Sequence, residues 1–450
     1  ARHEYAQFAA QLKGIEGFFD PQLYVAGGHR YDLQSIPGLT GGIGLVSKGS
    51  VAEAGIERPF FPGFYGSLGV GQQYLEEVDS DGNHLHRSII GGQIRIPLWR
   101  DRGFREFDLQ KQSALLELEA ARFRLIEAIQ RARYDVTIAY IDLLEQQGLW
   151  LASQQATARV RTLEDNTKRL VELKTVPEFQ VNHAQLEVLL RLEEEVAARE
   201  SLDRARVTMQ KLIGKLPNEP DQDPLKRLSD LIENMPDIQH SLPTAVAFRG
   251  GLQDLQTQAM AAETDLNLAR EQTKSRLELK VAATYAGESD EDFIGNDPIV
   301  LESRDGYAAE LVLTRPLSRI TSKAKVREEQ SRTSAAWERW NLKRAEVGAA
   351  LVSSYLSWSS ARVRYELAGQ AVQSAKSTLS AETQRFQEGG GDSRSVLDAQ
   401  KDLTNSIRLQ TRNAARLLRA FAEHHFEAGY PAYNAFADLA RPDETDGRDQ

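Results

Sequence analysis

The chain repeats itself, and no other feature constrains its fold as strongly. Ile96-Pro97-Leu98 recurs as Arg315-Pro316-Leu317 at an offset of 219 residues. Arg169-Leu170 recurs as Arg385-Phe386, Ala184-Gln185 as Ala399-Gln400, Tyr140 as Tyr355 and Gly214 as Gly429, at offsets of 215 or 216. The anchors keep their order across more than 100 residues. Two copies of one unit follow: repeat 1 over 1–217 and repeat 2 over 243–431. Residues 218–242 link them, and 432–450 form a C-terminal segment whose acidic, aperiodic end reads as a disordered tail.

Each unit has the same grammar of leading helix, strands and helical hairpin. The leading helix is expected over about 243–274 in repeat 2, with Pro243 at its start, where a missing N–H costs nothing. In repeat 1 only Ala1 to Glu16 corresponds, a shortfall that predicts further residues upstream of Ala1. The strands are expected over about 277–317 and 64–98. Leu277, Leu279, Val281, Ala283 and Tyr285 alternate with polar or small residues, as do Tyr307, Ala309, Leu311 and Leu313, and Ile90, Gly92, Ile94, Ile96 and Leu98. Strands of about 10 residues with one apolar face suit either a membrane barrel or a half-buried sheet in a soluble protein. The mate of the repeat 1 strand is Phe64–Leu75 or Leu23–Ala26, and Gln34 to Phe61 reads as an extended loop or extra strands.

The hairpins are expected over about 105–213 and 322–427. No proline interrupts 105–174 or 322–388, so each first arm would be on the order of 100 Å long. Leu125, Ile129, Ala132, Val136, Ala139 and Leu143 follow the 4,3 spacing of a coiled-coil seam. Lys174-Thr175-Val176-Pro177 and Gly389-Gly390-Gly391-Asp392-Ser393 break the arms, with Asp392 placed to cap the returning helix.

Composition excludes several functions. A net charge of −10 argues against a nucleic-acid partner. No apolar run reaches the length of a membrane-spanning helix. The absence of cysteine removes disulfides, thiolate metal sites and thiol nucleophiles. Asp79-Ser80-Asp81-Gly82-Asn83 begins like a calcium loop, but its sixth and twelfth positions are His84 and Ile90. Lys48-Gly49-Ser50 lacks phosphate-loop spacing, His84 and His86 are only two ligands, and the adjacent His424 and His425 lack zinc-protease spacing and read as surface or packing residues. No residue set reads as an active site, so the chain is expected to be no enzyme, with no metal and no cofactor.

Four strands per chain cannot close a barrel, and an open sheet in lipid would leave backbone groups unpaired at several kcal/mol each. Membrane strands would therefore require several chains, in a barrel continued by a helical tube. The chain resembles the TolC-like outer-membrane efflux family in Leu277-Glu278-Leu279 with Ala283–Tyr285, Leu313-Thr314-Arg315-Pro316-Leu317, Arg385-Phe386-Gln387-Glu388-Gly389 and Ser395-Val396-Leu397-Asp398-Ala399-Gln400. Phe248-Arg249-Gly250-Gly251-Leu252 echoes that family's Asn-Arg-Pro-Asp-Leu stretch without its proline. The resemblance implies an α+β, mostly α fold: a homotrimer with a 12-stranded membrane β-barrel continued by a 12-helix α-barrel across the periplasm. It implies an equatorial belt that includes 218–242 and the C-terminal segment. It also implies a Gram-negative outer membrane, its lipid, a periplasmic adaptor and an inner-membrane transporter as partners.

In such channels the tunnel closes at the hairpin tips. Asp398 matches one tip carboxylate, while Ser395, Phe386 and Gly391 stand where the family carries a carboxylate, a Tyr and an Arg. Asp392 and Arg394 are further gate candidates. Trp99, Tyr307, Tyr285 and Tyr74 are candidates for the aromatic girdles of a barrel. The rival reading is a soluble periplasmic coiled-coil adaptor or scaffold, with the strands in a small domain of their own.

Overall fold

The computed structural model describes residues 2–34, 45–77, 84–174, 176–215, 238–289, 304–388 and 390–430. The candidate calcium loop, most of the 218–242 linker and the C-terminal tail lie outside these residues, as do the side chains of His84 and His86. The elements run α1 (Arg2–Glu16), β1 (Gln22–Gln34), β2 (Leu45–Phe60), β3 (Phe64–Glu77), β4 (His84–Pro97), α2 (Arg105–Glu172) and α3 (Phe179–Ile213). Then come α4 (Ile238–Phe248), α5 (Gly250–Glu271), β5 (Arg276–Ser289), β6 (Arg304–Thr314), α6 (Ile320–Gln387) and α7 (Ser393–Glu427). The long arms α2 and α6 have 68 residues each, and the returning arms α3 and α7 have 35 each. Both returning arms stop at a left-handed glycine, Gly214 (φ 76°) and Gly429 (φ 72°), a conformation that other residues adopt only with strain.

The chain divides into two compact units that cut across the repeats. Residues 1–122 and 255–339 form one, and 123–254 and 340–450 the other. The first unit holds a single antiparallel sheet in the order β1-β2-β3-β4-β5-β6. This corrects the expected four strands: β1 and β2 are full strands beside the other four. Of the two readings of Gln34 to Phe61, an extended loop or extra strands, the second holds, and the segment is ambiguous in sequence because β2 hides its period. Over 50–60 its apolar face offers Ala52, Ala54, Ile56 and Phe60 interrupted by Ser50 and Arg58, while Val51 lies among glycines and carboxylates on the other. Elsewhere the pairing keeps the alternation on one side. Leu277 faces Leu313, Leu279 faces Leu311, Val281 faces Ala309 and Ala283 faces Tyr307, so the apolar sets of β5 and β6 share one face.

The second unit is helical. The apolar seam of α2 meets α3 where Val136, Ala139 and Leu143 pack with Leu202 and Met209. The seam is not closed along its whole length by α3, because α3 is half as long as α2. A second cluster joins Ile141 and Leu144 of α2 to Trp358 and Ala361 of α6 and to Ala414, Leu417, Leu418 and Phe421 of α7. Arg419 ties α7 to Asp142 and Glu145 on α2.

The expected leading helix of repeat 2 is two helices, and Pro243 lies inside α4 rather than at its start. Leu242 and Ala245 pack with Leu252, Val347, Leu351 and Ala428, so tertiary contact holds α4 through the proline. At the bend between α4 and α5, Arg249 is 5% exposed, pairs with Glu127 at 3.8 Å and with the Glu427 carboxylate, and lies 4.8 Å above the Phe426 ring. The next two amides donate to α2: Gly250 N–H to Gln130 Oε1 at 3.2 Å, and Gly251 N–H to Glu127 Oε2 at 2.9 Å. A Cβ on Gly250 would sit 2.6 Å from the Glu127 nitrogen, so glycine takes the place of the proline because α2 backbone fills the space. At the end of α7, His424 is fully buried between the hydroxyls of Ser241 and Ser354, each at 3.0 Å. His425 donates from Nδ1 to the Phe421 carbonyl at 3.1 Å and stacks on the Phe421 ring. Both histidines are therefore packing residues.

Gly250→Ala is expected to lower stability by about 1–3 kcal/mol through overpacking against α2, read as a drop in thermal midpoint. Burial holds His425 down to about 4, below its ordinary value, so the folded state favours the neutral ring. The unfolded chain then binds the extra proton between its own pKa near 6.5 and the folded value. The resulting stability, on the order of 3 kcal/mol, is present above pH 6.5 and lost as pH falls towards 4. Unfolding measured across that range should show the slope, and His425→Phe should reduce it, leaving the part that the buried His424 contributes.

Candidate functional site

The sheet has two chemically distinct faces. Opposite residues across antiparallel strands point to the same side, so the register sorts every position. One face carries Leu23 and Val25 of β1, Ile56 of β2, Leu68 and Val70 of β3, Ile90 and Ile94 of β4, Val281 of β5, and Leu311 and Leu313 of β6. All ten are exposed, Val25 at 76% and Leu23 at 74%. An apolar face continuous over six strands exceeds the few hundred Å² that a soluble monomer ordinarily leaves open.

The other face carries the charge. Arg95 of β4 pairs with Glu57 of β2 at 3.3 Å and with Glu278 of β5 at 3.8 Å, and its guanidinium lies 4.1 Å above the Tyr65 ring. Lys280 and Glu310 pair at 3.9 Å. Farther along the same face the side chains shrink to Ser67, Gly69, Gly71, Gln73, Gly91, Gln93, Ala282 and Thr284, which with Tyr24 line an open groove. Tyr24 lies across two strands there. A Cβ on Gly55 would meet its hydroxyl at 2.5 Å, and one on Gly69 at 2.7 Å, so one ring fills the space that two missing side chains leave. Beside the helix-side strand ends, Phe18, Phe19, Tyr65, Phe104 and Phe107 form an aromatic knot, with Phe18 and Phe107 stacked at 4.8 Å.

The girdle candidates fall at two levels. Trp99, 54% exposed, stands two residues past the end of β4, at the helix-side edge. Tyr74 and Tyr285 lie ten and nine residues along from Phe64 and Arg276, on the apolar face. Ten residues of a strand tilted ~40° rise roughly 25 Å, the height of the apolar band of a membrane barrel. Tyr307 shares that face, lies seven residues from Thr314 and is 83% exposed.

The gate candidates sit at the tip of the second hairpin, in the helical unit. Asp392 caps α7: its Oδ1 accepts from the Ser395 amide at 2.8 Å and from the Ser395 hydroxyl at 2.7 Å. Those bonds, the amide first, hold its carboxyl below the usual carboxylate range. Ser395 is thus occupied in the cap. Arg394, Ser395 and Asp398 are exposed on one side of α7, with Asp402 one turn on. Phe386 differs. It is 2% exposed and packs with Leu163 of α2 and Val396 of α7, so it is a core residue of the tip and does not share the exposed face of Asp398.

Reading the sequence missed the Arg95 cluster, the Tyr24 ring and the aromatic knot. The alternation marks which side each residue takes, but contacts between strands far apart in sequence need the register. Among the described residues, no group of three or more metal-ligating side chains is close enough to hold an ion, and no helix is long and apolar enough to cross a membrane. Phe386→Ala is expected to cost about 3–5 kcal/mol and to raise amide exchange at the tip. Asp398→Ala, on the exposed face, should leave the unfolding free energy within about 0.5 kcal/mol of the parent.

No family model matches the chain, and no curated relative does. Solved structures do. CusC, described by its folding and transmembrane channel formation, aligns with a TM-score of 0.67 at 11% identity, covering 95% of this chain and 88% of that one. The outer-membrane protein VceC of Vibrio cholerae aligns at 0.64 and 14% identity, covering 95% and 92%. The outer-membrane channel MtrE of Neisseria gonorrhoeae aligns at 0.64 and 14%, covering 95% and 84%. CusC and MtrE are described as channels and VceC as an outer-membrane protein, and over nearly its whole length the chain shares their TolC-like fold.

Proposed function

We propose that this chain is one subunit of a homotrimeric outer-membrane duct that passively conducts substrates out of a Gram-negative cell. The observation that carries this reading is the two-faced sheet. An exposed apolar face backed by a face of paired charges, glycine and small polar residues suits a wall with lipid on one side and water on the other. The fold likeness to outer-membrane channels supports the same assignment. The equal arm lengths of the two hairpins support a duplicated unit that supplies four helices to a twelve-helix tunnel. Trp99 at one edge, with Tyr74, Tyr285 and Tyr307 towards the other, would form the two interfacial girdles. The exposed apolar sheet weighs against a soluble adaptor.

The duct has no catalytic machinery of its own in this reading. An inner-membrane transporter supplies the energy, and a periplasmic adaptor joins it to the hairpin tips. Asp398, with Arg394 on the same exposed face, is the gate group. Three copies of a carboxylate around a narrow axis attract cations and repel one another. Asp392 and Ser395 hold the start of the helix that presents Asp398, and Phe386 anchors it from behind.

Particle mass in mild detergent, corrected for bound detergent, should correspond to three chains. A monomer that needs no detergent would remove the membrane reading. In planar bilayers Asp398→Ala should reduce cation over anion selectivity and raise the fraction of time spent open; unchanged selectivity and gating would take Asp398 out of the gate.

A further inference from the structure

Among the described residues the sheet has two open edges, β1 and β6, and both carry the exposed apolar face: Leu23 and Val25 on one, Tyr307, Leu311 and Leu313 on the other. Under the membrane reading, on which this inference rests, both edges stand in hydrocarbon. There an unpaired strand edge costs several kcal/mol per backbone group. Because the six strands alternate in direction, β6 of one copy is antiparallel to β1 of another, so the two edges can complete each other.

The internal register sets how they meet. A line of paired residues runs from Gln22 through Glu57, Ser67, Gln93 and Ala282 to Ala308. Gln22 is the helix-side end of β1, but Ala308 lies six residues short of Thr314, the helix-side end of β6. The sheet is therefore sheared by about one residue per strand, which corresponds to a tilt of ~35°, within the range that closed barrels adopt. Bringing the helix-side ends level places Gln22 of the next copy opposite Thr314, and Val25 opposite Leu311. Both pairs then join like face to like face, as a two-residue side-chain period demands.

We propose that β6 of each copy pairs in this register with β1 of the next, so that every chain gives six strands to the barrel and three copies close one of eighteen. Six strands ~4.8 Å apart and tilted ~40° span about 38 Å, whereas four would span about 25 Å. Barrel diameter grows roughly linearly with strand number, so this wall would be about half as wide again as one of twelve. The barrel would then not be the narrow part of the duct, and bulky hydrated solutes would pass it.

The chain has no cysteine, so introduced pairs report cleanly. Val25→Cys with Leu311→Cys should give reducible trimers on a denaturing gel after mild oxidation, at least tenfold above either single variant. Val25→Cys with Ala309→Cys or with Leu313→Cys tests a register slipped by two residues. Leu68→Cys with Leu311→Cys tests the alternative in which β3 is the edge and only four strands enter the barrel. Linkage through Leu68 overturns the proposal, and so does a particle of three chains that links through none of the β1 pairs. Both results leave the trimeric duct standing, whereas a detergent-free monomer removes the duct itself.

Discussion

A strand edge in hydrocarbon has nowhere to send its hydrogen bonds, and much of this chain can be understood from that constraint. Water satisfies an exposed backbone amide at the surface of an ordinary sheet. Between lipid tails only another strand can. In the proposed membrane setting, a sheet with apolar residues on every strand, edges included, would be unfinished as a single chain. The same requirement explains the division of side chains between the faces. In the proposed membrane setting lipid would accept Leu23, Val25, Leu68 and Leu311 without penalty, while Arg95, Glu57 and Glu278 lie on the opposite face and neutralise one another there.

The helical unit solves a different problem with the same economy of parts. Arms of 68 residues cannot be held by returning arms of 35 along their whole length. The chain supplies the missing contacts with α4 and α5, laid against α2 so closely that the bend needs two glycines. Arg249 is the tie. It is buried, yet its charge meets Glu127 and Glu427, and its flat face covers Phe426. Breaking such a pair by removing one partner leaves a buried charge unmatched, which is costlier than the pair is favourable.

Much of this was legible in the sequence because the strand period of 2 occurred in both repeats and a 4,3 seam marked the first hairpin. The shared face of β5 and β6 follows from the alternation, and the breaks at Pro177 and Gly389 to Asp392 lie between the arms. β2 was hidden because its alanines and glycines carry no visible period. The placement of Pro243 failed for another reason: a local rule about helix starts lost to the packing of Leu242 and Ala245. At the tip, an aromatic residue expected to line the gate is buried. The sequence marks Phe386 as aromatic but says nothing of its direction, and only Leu163, 223 residues away, decides it.

That buried tip has a mechanical consequence. Phe386 on α6, Val396 on α7 and Leu163 on α2 form one apolar knot, and the cap at Asp392 stiffens the bend between α6 and α7. Asp398 lies less than one helical turn beyond Val396. It cannot swing aside by loosening a loop, because both arms and a helix of the other hairpin grip the same three side chains. Displacing it moves the paired hairpins as a lever or tears the knot apart. A partner that opened such a tip would have to push on whole helices.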